Sequence, residues 1–203
     1  MNNNSLKAIE RQAYRSTFSD GIYDIQFGLI FMILALIAVL KAYSVSLILG
    51  YSLLFIPLIF PWLGKRYITI PRMGKVEFSE KRRRRKLIAI AAAVLILILT
   101  APLMLMIIMK GNLDAMGWKL IAIFVAPIFV LIVYTTEFLR LYVYAALLIF
   151  GVVEAEFLLH LTGSPLNAVL SFGFPGLIIT VIGIGLMIKF IKTHPLVELD
   201  YAE

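Results

Sequence analysis

The sequence predicts an all-α integral membrane protein of six transmembrane helices, with a short cytoplasmic β-hairpin between helices 2 and 3. Three observations carry that expectation. Hydrophobic residues make up 62% of the 203 positions and charged residues only 15%, against roughly 25% charged in soluble domains. The mean hydropathy is +0.97, an apolar excess that surface-to-volume scaling leaves no way to hide inside a globule of this size. The 19 Lys and Arg residues are also clustered, with ten of them between Lys65 and Lys86.

A span needs roughly 20 apolar residues to cross about 30 Å of hydrocarbon. Six runs qualify, at 22–40, 43–62, 87–109, 117–138, 141–161 and 168–191. Residues 1–20 read as a cytoplasmic interfacial segment. Lys7, Arg11 and Arg15 recur there every fourth residue, while Leu6, Ile9 and Ala13 take another face. No small-residue cleavage site follows the first run, which therefore reads as an uncleaved signal anchor. Residues 21–62 hold helices 1 and 2, 63–86 a basic loop, 87–191 helices 3–6, and 192–203 an acidic tail with Glu198, Asp200 and Glu203.

Orientation follows from the cations. A cytoplasmic N-terminus places Lys7, Arg11, Arg15, the ten loop cations, Arg140, Lys189 and Lys192 inside, and leaves Lys41, Lys110 and Lys119 outside. The positive-inside rule then puts both termini in the cytoplasm and the chain in the inner (cytoplasmic) membrane. Retained cations account for the net charge of +7, so nucleic acid is not expected as a partner. The chain has no cysteine, which excludes disulfides and thiolate metal sites.

Several spans are interrupted: Pro57 and Pro61 in the second, Pro102 in the third, Pro127 in the fourth, and Gly173, Pro175 and Gly176 near the outer end of the sixth. Broken helices occur at transporter binding sites, but proline is common in membrane helices and kinks are the plainer reading. Residues 28–41 and 176–189 share Gly-Leu-Ile and a lysine at equal spacing. In a chain this rich in Leu and Ile such a match is cheap, and it does not establish a repeat.

Within the basic loop, residues 67–70 (YITI) and 75–78 (KVEF) are β-branched and aromatic, and flank Pro71-Arg72-Met73-Gly74. Proline and glycine at those positions suit a tight turn, hence the hairpin. Such a hairpin is marginal alone in water, so it is expected to lie on the membrane, the bundle or a partner. Six consecutive cations follow at 81–86, and each gains about 1 kcal/mol near anionic headgroups. Arg72, Lys75, Lys81, Arg82, Arg83, Arg84, Arg85 and Lys86 are thus the candidate lipid- or partner-binding residues, with the acidic tail expected to fold back onto them.

Ionisable groups inside spans mark candidate functional positions. Asp24, with Gln26 close by, lies one turn from both Gly21 and Gly28, which form a small-residue stripe with Ala35. In the fifth span Glu154 and Glu156 lie roughly 200° apart around the helix. Glu154 falls with Tyr144, Gly151 and Ala155 on the better packing face, roughly 20 Å from the inner end. Glu156 pairs at i, i+4 with His160, two metal-type ligands without a third. Glu137 and Arg140 read as a local ion pair. No HExxH, GxSxG or aspartyl pair occurs, so no catalytic residue, cofactor or metal is assigned. The favoured class is a non-enzymatic membrane component whose basic loop binds anionic lipid or a protein partner, with a homo-oligomer also open. The alternative is a small transporter or channel subunit using Glu154 and Asp24.

The stretches IPRMGKVEF (70–78) and FIKTHPLVE (190–198), together with the helix layout, resemble a group of uncharacterised bacterial and archaeal polytopic membrane proteins. The resemblance implies a helical membrane fold and no particular activity.

The cysteine-free background makes topology directly testable. Thr162→Cys should label with an impermeant maleimide in intact cells, and Ser79→Cys only after permeabilisation; labelling of position 79 from outside would reverse the orientation.

Overall fold

The computed structural model of the protein describes residues 18–45, 47–74 and 139–196, with scattered positions between 84 and 98. Among these residues every regular element is helical. Three helical stretches are long and apolar enough to cross a membrane: Ile22–Ala42, Arg140–Thr162 and Leu166–Thr193. The chain divides into two compact units, residues 1–77 with 164–203, and residues 78–163.

The first unit contains α1 (Ile22–Ala42), α2 (Leu47–Leu53), α3 (Phe55–Gly64), a π-helical turn (Lys65–Thr69) and α4 (Ile70–Met73). The second unit contributes α5 (Leu139–Thr162), and the first resumes with α6 (Leu166–Ala168), a second π-helical turn (Val169–Gly173) and α7 (Phe174–Thr193). α1 has 21 residues, about 31 Å at 1.5 Å per residue. It is the centre of its unit, packed against α7 on one side and α3 on the other.

The α1–α7 seam is made of backbone. A Cβ placed on Gly28 would lie 2.8 Å from the Gly176 carbonyl oxygen, and one on Gly176 would lie 2.9 Å from the Gly28 oxygen. One turn-pair further on, a Cβ on Gly21 would meet the Gly183 oxygen, and one on Gly183 would come within 2.7 Å of the Ile25 nitrogen. Gly173 faces Ala35 at the far end. The glycines therefore run at heptad spacing on both helices and interlock antiparallel, the small-residue route to close approach in lipid. Thr180 lies in the same seam, its hydroxyl donating to the Gly176 carbonyl at 2.8 Å. Phe31 and Phe172 close the seam toward its Ala35 end with ring centroids 6.2 Å apart, both fully buried.

The expected second span (43–62) is two helices, α2 and α3, separated at Leu54. The break falls three residues before Pro57, whose ring would clash with the Leu53 carbonyl in a continuous helix. The expected third and fourth spans, 87–109 and 117–138, lie largely outside the described residues. α2 and α3 together return antiparallel to α1, with Gly50 of α2 against Ile37 and Gly64 of α3 against Ile22.

The hairpin expectation is corrected at its first strand. Residues 67–70 are helical, and Pro71, Arg72 and Met73 continue the helix as α4. Pro71 has no N–H for the carbonyl four residues back; the π-helical turn absorbs the mismatch by shifting the bond to Ile70 N–H→Lys65 O. The second π-helical turn stands in the same relation to Pro175, with Phe174 N–H→Val169 O. Gly74, at φ 76°, ends α4 and donates its N–H to the Ile70 carbonyl at 2.9 Å. The other proposed strand, 75–78, lies outside the described residues.

Filling the seam should be costly. Gly176→Leu forces α1 and α7 apart and is expected to lose about 3 kcal/mol, the upper part of the overpacking range. Gly185 has nothing within 4 Å of its Cβ position, so Gly185→Ala should be neutral or stabilising by roughly 0.5–1 kcal/mol. Thermal denaturation of both variants in detergent separates the two outcomes.

Candidate functional site

At the Gly21 end of the first unit a single carboxylate organises two elements. Asp20 is fully buried. Its Oδ1 accepts the Ile22 N–H at 3.2 Å, at the start of α1. Its Oδ2 accepts Lys65 Nζ and the Thr69 hydroxyl, each at 2.5 Å. Lys65 and Thr69 are four residues apart, so only a helix brings both onto one oxygen. In a strand, at about 3.3 Å per residue, they would stand some 13 Å apart. That geometry is the physical reason YITI is helical here despite its β-branched composition, a weak preference that tertiary contacts override.

The Lys65 ammonium also sits over two rings, 5.0 Å from the Tyr23 centroid and 5.7 Å from that of Phe18. Burial pushes the Lys65 pKa below its ordinary value of 10.5, while the charge and hydrogen bond of Asp20 pull it back up. Gly21 makes the turn from Asp20 into α1 at φ 76° with Gly183 against it, so no side chain is tolerated at this corner.

Beside the Asp20–Lys65 pair an open groove of about 650 Å³ runs between α1 and the α3–α4 arm. Tyr23, Gln26 and Lys65 line its α1 side and inner part. Leu58, Pro61, Trp62, Arg66 and Ile70 form the opposite wall. The Arg66 guanidinium lies 5.4 Å from the Trp62 ring centroid and 5.9 Å from that of Tyr67, within cation–π range.

The same end of the unit carries Arg72, whose Nη1 donates to the Ile68 carbonyl at 3.0 Å, and Lys189 and Lys192 in the last turns of α7. Lys41 is at the other end of α1. The FIKTHPLVE stretch closes α7: the Thr193 hydroxyl donates to the Lys189 carbonyl at 3.0 Å, and the His194 ring stacks on Phe190 at 4.6 Å.

The residues singled out from sequence are dispersed. Asp24 is fully buried on α1, its Cβ facing Gly183 of α7, and Gln26 lines the groove. Arg72 is half-buried and Arg84 exposed; Lys75, Lys81, Arg82, Arg83, Arg85 and Lys86 lie outside the described residues, as do Glu137 and the acidic tail from residue 197. On α5 the placement of Glu154 with the packing face is corrected. The buried stripe is Leu141, Tyr144, Ala145, Leu148, Gly151, Val152 and Ala155, so Tyr144, Gly151 and Ala155 do pack, but Glu154 lies roughly 120° from its middle at 100° per residue. Glu154 is exposed, on the side of Phe150 and Phe157. Glu156 and His160 are exposed too. Among the described residues no three His, Asp or Glu side chains come together to hold a metal.

Sequence reasoning missed Asp20 and Thr69, and counted Lys65 only as a topology cation. It also missed Ser171, fully buried with no hydrogen-bond partner for its hydroxyl among the described residues, in the π-helical turn ahead of Pro175. No protein-family model, curated protein or solved structure matches this chain.

Removing the Asp20 charge leaves a buried cation uncompensated. Asp20→Asn is expected to cost about 3 kcal/mol at neutral pH, with much of it recovered in Asp20→Asn/Lys65→Met. The sign of the pH effect follows from Lys65. Its folded pKa lies below 10.5, so between the two values the unfolded chain holds more protons and stability rises with pH. In Asp20→Asn that window extends to lower pH, and thermal denaturation in detergent should show stability climbing more steeply toward 10.5 than in the wild type.

Proposed function

We propose that this protein is a multi-spanning component of the cytoplasmic membrane whose basic end engages anionic lipid headgroups. The reading takes six spans, both termini in the cytoplasm, and no chemical transformation by the protein itself. One observation carries it: Lys65, Arg66, Arg72, Lys189 and Lys192 gather at one end of the first unit, with Lys41 alone among its described lysines and arginines at the other. Trp62 and Tyr67 lie at the same level, exposed, as rings do in the belt at a membrane–water interface. The uninterrupted cations at 81–86 add to the same side in this topology, where each is worth about 1 kcal/mol near an anionic surface.

The attraction is electrostatic and therefore screened by salt. Protein held in phosphatidylcholine nanodiscs should capture vesicles containing phosphatidylglycerol at 0.1 M ionic strength and release them near 1 M, as the Debye length falls from about 10 Å to about 3 Å. Replacing Arg82–Arg85 with serine should weaken capture at low salt. Capture that is indifferent to salt, or equal for phosphatidylcholine vesicles, overturns the reading.

A further inference from the structure

We propose that the groove between α1 and the α3–α4 arm is a site for one anionic phospholipid, with its phosphate on Arg66 and an acyl chain along Leu58 and Pro61. The inference rests on the reading that this end meets anionic headgroups, and it narrows a diffuse attraction to one lipid in one place.

Size is the first argument. At about 650 Å³ the groove falls within the roughly 300–1,000 Å³ that small-molecule sites occupy. Chemistry is the second. Its wall changes along the helical arm from Leu58 and Pro61 through Trp62 to Arg66, the order in which a lipid changes from chain to headgroup. Leu58 is 62% exposed and Trp62 60%, so the wall is open to the bilayer that would supply the ligand.

Charge is the third. Lys65 already faces the Asp20 carboxylate, and none of the residues lining the groove is acidic. Arg66 is therefore the cation the groove presents. Its guanidinium lies within cation–π range of Trp62 and Tyr67, and an arginine fork is the geometry that takes phosphate oxygens two at a time. The Gln26 amide on the α1 side supplies a further donor. Basic pockets between helices at the cytoplasmic side are where such headgroups bind.

Native mass spectrometry of the detergent-purified protein, mixed with equal amounts of phosphatidylglycerol and phosphatidylcholine bearing the same chains, tests the site. One phosphatidylglycerol should be retained in preference to phosphatidylcholine by about tenfold, because both offer a phosphate to Arg66 but the choline cation offsets that charge and is repelled by the basic end. Arg66→Gln should remove that preference and Arg66→Lys should keep part of it; Arg66 is exposed, and an unchanged melting temperature verifies the fold. Trp62→Ala should lower retention of both lipids, and millimolar glycerol phosphate should compete poorly because it has no chain. Serine in place of Arg82–Arg85 should leave the single lipid bound. Equal retention of the two lipids, wild-type preference in Arg66→Gln, or displacement by glycerol phosphate alone overturns the site. Salt-insensitive vesicle capture with Arg66-dependent retention intact removes only the surface reading; salt-sensitive capture without Arg66-dependent retention removes only the groove.

Discussion

The Asp20 carboxylate is the constraint on which this end of the molecule depends. A fully buried charge in a largely apolar chain is expensive unless it is paired and hydrogen-bonded, and Asp20 meets that demand with three donors from two elements. Two of them, Lys65 and Thr69, lie 45 and 49 positions away, so the carboxylate ties the start of α1 to the end of α3. It also dictates secondary structure, because two donors four residues apart reach one oxygen only from a helical turn. Once residues 65–69 are helical, Arg66 turns toward Trp62 and Tyr67, and the groove acquires its cation. The local electrostatics of one pair thus sets both the course of the backbone and the character of the neighbouring surface.

A different principle holds α1 against α7. Lipid tails are as apolar as leucine, so burying side chains offers little driving force between membrane helices, and contact between backbones takes its place. The reciprocal approach of Gly28 and Gly176, with Gly21 and Gly183 beyond them, realises this over the first third of α1. The Gly-Leu-Ile segments that share a pattern in sequence are thereby in contact through their glycines. The IPRMG and FIKTH segments both end helices at the basic end, α4 through Arg72 and Gly74 and α7 through Thr193 and His194.

The helical membrane character was legible because long apolar runs admit few other solutions, and the Gly21–Gly28–Ala35 stripe was legible because small residues at heptad spacing stand out among Leu and Ile. The Asp20–Lys65 pair was not, since nothing in a linear chain reports which of many carboxylates meets which of many cations 45 positions on. YITI misled for a related reason: its β-branched residues state a preference, while the deciding contact is tertiary. Glu154 was put on the wrong side of α5 because that helix is apolar nearly all round, and hydrophobic periodicity then carries little information about which face packs.

The seam between α1 and α7 joins parts of the chain that are far apart in time as well as in sequence. Thr180 and Met32, neighbours across it, are separated by 148 residues. At roughly 5–20 residues per second of synthesis, α1 waits about 7–30 s for its partner. During that interval its glycine face is open to lipid or to any other helix that offers a matching groove, so the seam's backbone geometry must serve as the check on which helix is finally accepted.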